Sequence, residues 1–239
     1  MGTLTLGRSD NLFWLGRYIE RAYQSIQLYM VGYDKMIDTD EEYYKTICEQ
    51  LNIPEWYGSR ENFIEQYAFD QKNPYSIAAS VEQAYDNAMV MRDEISSNTL
   101  SYIHMIQGRM KKAAASEAPV YYLQQVLDNI LAFWGCLDDE IYDESIRNTV
   151  KCGKRVERLD IYLRLRRSKE ELNREVRRLM QRIDSTNLTY NRGALMYTAA
   201  MIEENPIEYD EVLKIVEVQK GDILIEEDIV RYEDMYGRV

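Results

Sequence analysis

Two Glu-Arg pairs offer the chain's most specific chemistry. The first lies in Phe13-Trp14-Leu15-Gly16-Arg17-Tyr18-Ile19-Glu20-Arg21-Ala22, the second in Gly153-Lys154-Arg155-Val156-Glu157-Arg158-Leu159. From Gly16 to Gly153, an offset of 137 positions, both read glycine, basic, any, β-branched, Glu, Arg, small or apolar. Arg grips a carboxylate through parallel N–H donors, so such a cluster is either a closed ion-pair network or an open pocket for a ligand carboxylate. Arg17 and Lys154 join Glu20, Arg21, Glu157 and Arg158 from one turn earlier. A third reading makes Glu20 or Glu157 a general acid or base.

These residues must be positioned by helices. Leu12, Leu15, Ile19, Ala22, Ile26, Tyr29 and Tyr33 recur at spacings of three and four, which predicts a helix over about 10–33. Its other face carries Arg17, Glu20, Arg21 and Gln24, but Phe13, Trp14 and Leu28 fall among them. A helix that is apolar nearly all round is buried, and charges on it must be paired. The stripe repeats around the second pair: Cys152, Val156, Leu159 and Leu163 fall where Leu15, Ile19, Ala22 and Ile26 stand. Matching polar residues and matching stripes point to an internal duplication whose two Glu-Arg helices pack together.

Other chemistries find little. His104 is the one histidine, too few for a zinc or di-iron site. Asp138, Asp139, Glu140, Asp143 and Glu144 offer oxygens suited to Mg²⁺, but acids opening a helix account for them. The chain has no phosphate-binding glycine loop, dinucleotide fingerprint or nucleophile elbow, so neither a metal nor a cofactor is expected on it. Cys48, Cys136 and Cys152 are far apart and form no CxxC, which predicts buried free thiols in a reducing compartment.

The 239 residues, 46% hydrophobic and 29% charged, suit a globular protein, and 4 Pro among long periodic stretches suit a helical one. A net charge of −12 argues against nucleic acid as a partner. Residues 151–182 nevertheless hold twelve Lys or Arg against five acids. That stretch is either a grip for an acidic partner or a set of solvated helix faces. No apolar run is long enough to span a membrane and no basic region followed by an apolar core opens the chain, so a cytoplasmic location is expected.

The chain reads as an all-α helical bundle with an internal pseudo-duplication. Further helices are expected over 41–51, 59–69, 77–109 with a bend at Ser96-Ser97-Asn98, 120–137, 141–167, 168–184, 191–204 and 208–216, with 111–118 as a connector. Ser59, Ser76 and Ser168 are expected N-caps, Ser168 within a capping box. The expected division is a first repeat over 1–137, a second, shorter repeat over 138–216 packed into the same domain, and an acidic C-terminal appendage over 217–239, irregular or β-like at Ile223-Leu224-Ile225.

Leu12 to Ala22 closely resembles the opening of the alpha-E family, helical proteins named for an "ER" motif that typically appears twice. Gly153 to Asp160 fits the second copy. Asn73-Pro74-Tyr75-Ser76 and Arg92-Asp93-Glu94-Ile95-Ser96 resemble family stretches between the copies, and the resemblance spans about residues 10–200. It adds Arg92 and Ser96 to the candidate site. It departs where family members carry an acid and a Trp, places held here by Asn98 and Leu100. The resemblance implies a bacterial peptide synthesis or peptide modification system. The implied companions are circularly permuted ATP-grasp amide ligases, transglutaminase-like proteins and Ntn-hydrolase peptidases. The expected role is that of a non-catalytic helical partner, with an enzyme of peptide modification and a purely structural module as the alternatives.

Overall fold

Helix α1, Leu6–Asp38, is the spine against which the rest is laid. The computed structural model describes residues 6–54 and 57–221, and among these it has ten helices and no strand. After α1 come α2 (Tyr43–Leu51), α3 (Arg60–Phe69), α4 (Ile77–Val90), α5 (Ser97–Ala114), α6 (Pro119–Glu140), α7 (Glu144–Arg164), α8 (Lys169–Ile183), α9 (Arg192–Glu203) and α10 (Tyr209–Gly221). None is long and apolar enough to cross a membrane. Helix α1 packs chiefly on α4 and α7, α5 pairs with α6, and α8 and α10 lie on α7.

Two apolar clusters fill the molecule, and α1 and α7 serve both. The first takes Leu12, Leu15, Ile19, Ala22, Ile26 and Tyr29 from α1, the apolar faces of α2 to α6, and Ile146 and Val150 from α7. The second takes Phe13 from α1, then Cys152, Val156, Leu159 and Leu163 from α7, and the inner faces of α8 to α10. Where α1 and α7 cross, their backbones touch. A Cβ on Gly16 would stand 1.9 Å from the Val150 carbonyl oxygen, and one on Gly153 would stand 2.0 Å from the Phe13 carbonyl oxygen. Val150 and Phe13 each lie three residues before the other glycine, so the contact is reciprocal. Any side chain at either glycine would hold the helices apart.

Several caps stand where expected. Ser59, Ser76 and Ser168 accept from the backbone N–H of Asn62, Ala79 and Glu171, and Glu171 closes the capping box. Other expectations need correction. The segment 77–109 is two helices, not one bent helix. Ser96 ends the break by accepting from Thr99 N at 3.0 Å, which offers the backbone an alternative to continuing the helix. Residues 111–114 belong to α5 rather than a connector; Ala favours the helix, and Lys111 and Lys112 complement its C-terminal dipole.

Asp138, Asp139 and Glu140 close α6 instead of opening α7, at the end where the macrodipole disfavours acids. Lys151 pairs with Asp138, and Asn98 Nδ2 donates to Glu140 at 2.7 Å, which offsets that cost. The true cap of α7 is Asp143, accepting from Ser145 and Ile146. Helix α7 ends at Arg164, not Arg167. Arg166 is left-handed (φ 51°) and Arg167 N donates back to Tyr162 O, the pattern that terminates many helices. Helix α10 continues to Gly221, past the expected stop, and Ile223-Leu224-Ile225 lies outside the described residues. Cys48 and Cys152 are buried, but Cys136 is only partly so.

Candidate functional site

The crossing of α1 and α7 sets the geometry of the Glu-Arg cluster. With the backbones in contact at Gly16 and Gly153, side chains one and two turns along face the opposite helix. Each Glu takes the Arg of the other helix. Arg158 Nε donates to Glu20 Oε1 at 2.6 Å, and Arg21 binds Glu157 side-on, Nε to Oε1 at 2.7 Å and Nη2 to Oε2 at 3.1 Å. Arg17 adds Nε and Nη2 to Glu157 Oε2, at 2.8 and 2.6 Å. Gln24 completes the other side by donating to Glu20 Oε1 at 2.7 Å.

The deepest charge is Arg17, with a side chain 0% exposed, whereas that of Arg21 is 31% exposed. Aromatic faces support the guanidinium groups: Arg17 lies 4.6 Å from the Trp14 ring and Arg21 5.2 Å from that of Tyr18. The reciprocity fails at Lys154. It occupies the place on α7 that Arg17 has on α1, but its Nζ lies 3.9 Å from the Trp134 ring centre. Burial lowers the Lys154 pKa to about 7, Arg158, Arg155 and Lys151 add to this, and only Glu20 opposes it. Glu20 Oε2 and Arg17 Nη1 have no hydrogen-bond partner among the described residues.

On the Glu157 side the network opens into a cleft of about 220 Å³. Arg21 and Ser25 line it from α1, and Glu157, Asp160, Ile161 and Arg164 from α7. Leu51, Ile53, Tyr67, Pro74 and Tyr75 form the facing wall. The Asn73-Pro74-Tyr75-Ser76 turn is thus part of the site. Asn73 holds it by donating to the Tyr57 hydroxyl at 2.7 Å and accepting from Tyr75 N at 3.0 Å, while Ser76 caps α4. Arg21 spends one guanidinium edge on Glu157. Its Nη1 makes no hydrogen bond to a described residue, and Arg21 lines the cleft. Arg164 is steadied by Asp160 Oδ2 at 3.4 Å and by Glu217.

Six of the eight sequence candidates therefore meet: Arg17, Glu20, Arg21, Lys154, Glu157 and Arg158. Arg92 and Ser96 do not join them. Arg92 is 64% exposed with Asp93 3.8 Å away, and Ser96 is a helix cap bonded to Thr99. His104 is exposed against Tyr85, and no group of three metal-ligating side chains occurs among the described residues. The basic stretch 151–182 is largely spent internally. Lys151 pairs with Asp138, Arg155 and Arg178 with Glu175, Arg158 with Glu20, Arg166 with Asp210 and Lys169 with Glu203.

Sequence reasoning missed Glu175, Asp160 and Arg164. Glu175 is 2% exposed and ties α8 to Arg155 at 2.7 Å. Its place beside Leu172, Val176 and Leu179 on one stripe was the available signal. Asp160 and Arg164 follow Glu157 at steps of three and four, on its own face.

No curated protein and no solved structure matches the chain. One family model does, over residues 8–213, and it describes a predicted alpha-helical domain with a conserved ER motif. That span takes in both Glu-Arg pairs, the turn at 73–76 and every helix from α2 to α9, and so the chain belongs to the Alpha-E family.

Proposed function

We propose that the protein is a non-catalytic helical partner of an ATP-grasp-type amide ligase, in the cytoplasm of a bacterium that synthesises or modifies peptides. Its part is to hold the carboxylate of a peptide or amino acid at the Glu-Arg core. One observation carries the carboxylate half: Arg21, held by Glu157 through Nε and Nη2, lines the cleft with Nη1 unspent on any described residue. A guanidinium already oriented by a buried acid loses little freedom on binding a second carboxylate, and its fork matches that group. The ligase half rests on the companions that the family resemblance implies; a transglutaminase-like protein is the other candidate partner.

Acid-base catalysis has less support. Glu157 Oε2 already accepts three guanidinium hydrogen bonds, and Glu20 is 0% exposed and does not line the cleft. A purely structural module would leave the unspent Arg21 Nη1 without a use.

The test mixes the purified chain with an ATP-grasp ligase from the same bacterium and follows ATP-dependent amide formation. The expected result is no turnover by the chain alone, a complex by size-exclusion chromatography, and faster ligation that Arg21→Gln abolishes. Turnover by the chain alone that Glu157→Gln removes would instead establish an enzyme. No complex and no change in ligation rate would leave the structural module.

A further inference from the structure

The cleft beside Arg21 does not end at α7. A second cleft of about 480 Å³ lies next to it, and Arg164 lines both. The two differ in character. The inner one brings Arg21 and Arg164, with Glu157 and Asp160, against an apolar wall of Leu51, Ile53, Pro74 and Tyr75. The outer one is walled by Gln50 and Asn52 at the end of α2 and by Arg166, Asp210 and Leu213. Its charges balance, Arg164, Arg166 and Lys214 against Glu49, Asp210 and Glu217; Arg166 Nη2 donates to Asp210 at 2.8 and 2.9 Å, and Arg164 pairs with Glu217.

These features select among carboxylates. The inner cleft, at about 220 Å³, is smaller than the roughly 300–1,000 Å³ of a typical small-molecule site. It takes one apolar residue with its carboxylate and little more. The outer cleft asks for no net charge, and its amide side chains both donate and accept, as a peptide backbone does.

On the carboxylate-holding reading above, we infer that the ligand is a short peptide bound by its C-terminal end. Its carboxylate sits on Arg21, its last, apolar side chain lies on Leu51, Ile53 and Tyr75, and its preceding residues pass Arg164 into the outer cleft. The amino end reaches open solvent and is not recognised.

Calorimetric titration of the full chain with four probes tests this: Ala-Ala-Leu, its C-terminal amide, its N-acetyl form and free leucine. The expected order is that the tripeptide and its acetyl form bind alike, while the amide and free leucine each bind about tenfold more weakly or worse, as loss of a charge-assisted hydrogen bond or of the outer contacts implies. Free leucine binding as tightly as the tripeptide would overturn the peptide inference and leave the carboxylate reading standing. A tenfold loss on acetylation would overturn the assigned direction of the chain. The amide binding as well as the free acid would overturn both, and so would absence of heat from every probe at millimolar concentration.

Discussion

Lys154 stands on α7 where Arg17 stands on α1, one residue past the crossing glycine, yet only Arg17 reaches the carboxylate opposite. The outcome is one Glu clamped by two Arg and another held by one Arg and a glutamine.

This asymmetry makes stability depend on pH. The folded Lys154 titrates at about 7, against an ordinary 10.5 when unfolded. Between these values the unfolded chain binds more protons, so the folded state gains stability as pH rises through that window, and it carries the full cost of the buried charge below it. Chemical denaturation of the wild type and of Lys154→Met should show the difference moving in favour of the wild type from about pH 7 to about pH 10. A flat difference would mean that the amine keeps its water.

Arg17 and Arg21 share one carboxylate but not one environment. Arg17→Ala removes a wholly buried charge from a buried pair and should cost about 3–5 kcal/mol. Arg21→Ala leaves Arg17 on Glu157 and empties a position 31% exposed, so about 1–3 kcal/mol is expected. Urea midpoints rank the two; Arg21→Ala as the costlier change would contradict the buried placement of Arg17.

The crossing glycines give a prediction of sign. Ala is favoured over Gly in an open helix by about 1 kcal/mol. Gly16→Ala and Gly153→Ala should nonetheless each destabilise by about 1–3 kcal/mol or more, because the new methyl meets a backbone carbonyl. The double variant should cost less than the two losses together, since the first already parts the helices. Thermal melts decide, and stabilisation by either change would refute the close contact.

Ser96 should behave as a cap and nothing more. Ser96→Ala is expected to cost about 1 kcal/mol, the usual value for a lost N-cap. Affinity for Ala-Ala-Leu should stay unchanged. A loss of binding without a loss of stability would return Ser96 to the site.

The Glu-Arg pairing was legible because it is written locally: an apolar stripe with charges on a face that cannot be wet, given twice. The break between α4 and α5 was hidden by burial itself. Met91 and Ile95 sit in the turn at 0% and 4% exposure, so the helical rhythm runs through a place where the helix stops. The cleft was hidden because its walls come from α1, α3, α7, the end of α2 and the turn at 73–75, far apart along the chain. Composition likewise counted the cations of 151–182 without their partners; half of the twelve face acids on other helices, such as Asp138, Asp210 and Glu203.

The meeting of Gly16 with Gly153 also bears on how the chain comes to be folded. A ribosome delivers α1 first and α7 only after five further helices. In that interval α1 can build the first apolar cluster with α2 to α6, while Phe13 and Arg17 wait for a surface that does not yet exist. Closing so long a loop is slow, and intermediates with exposed apolar faces aggregate. A charged Arg17 and Arg21 keep that waiting face hydrated. Glu157 then arrives to claim both, so the carboxylate that orients the cleft also marks the closing of α7 onto α1.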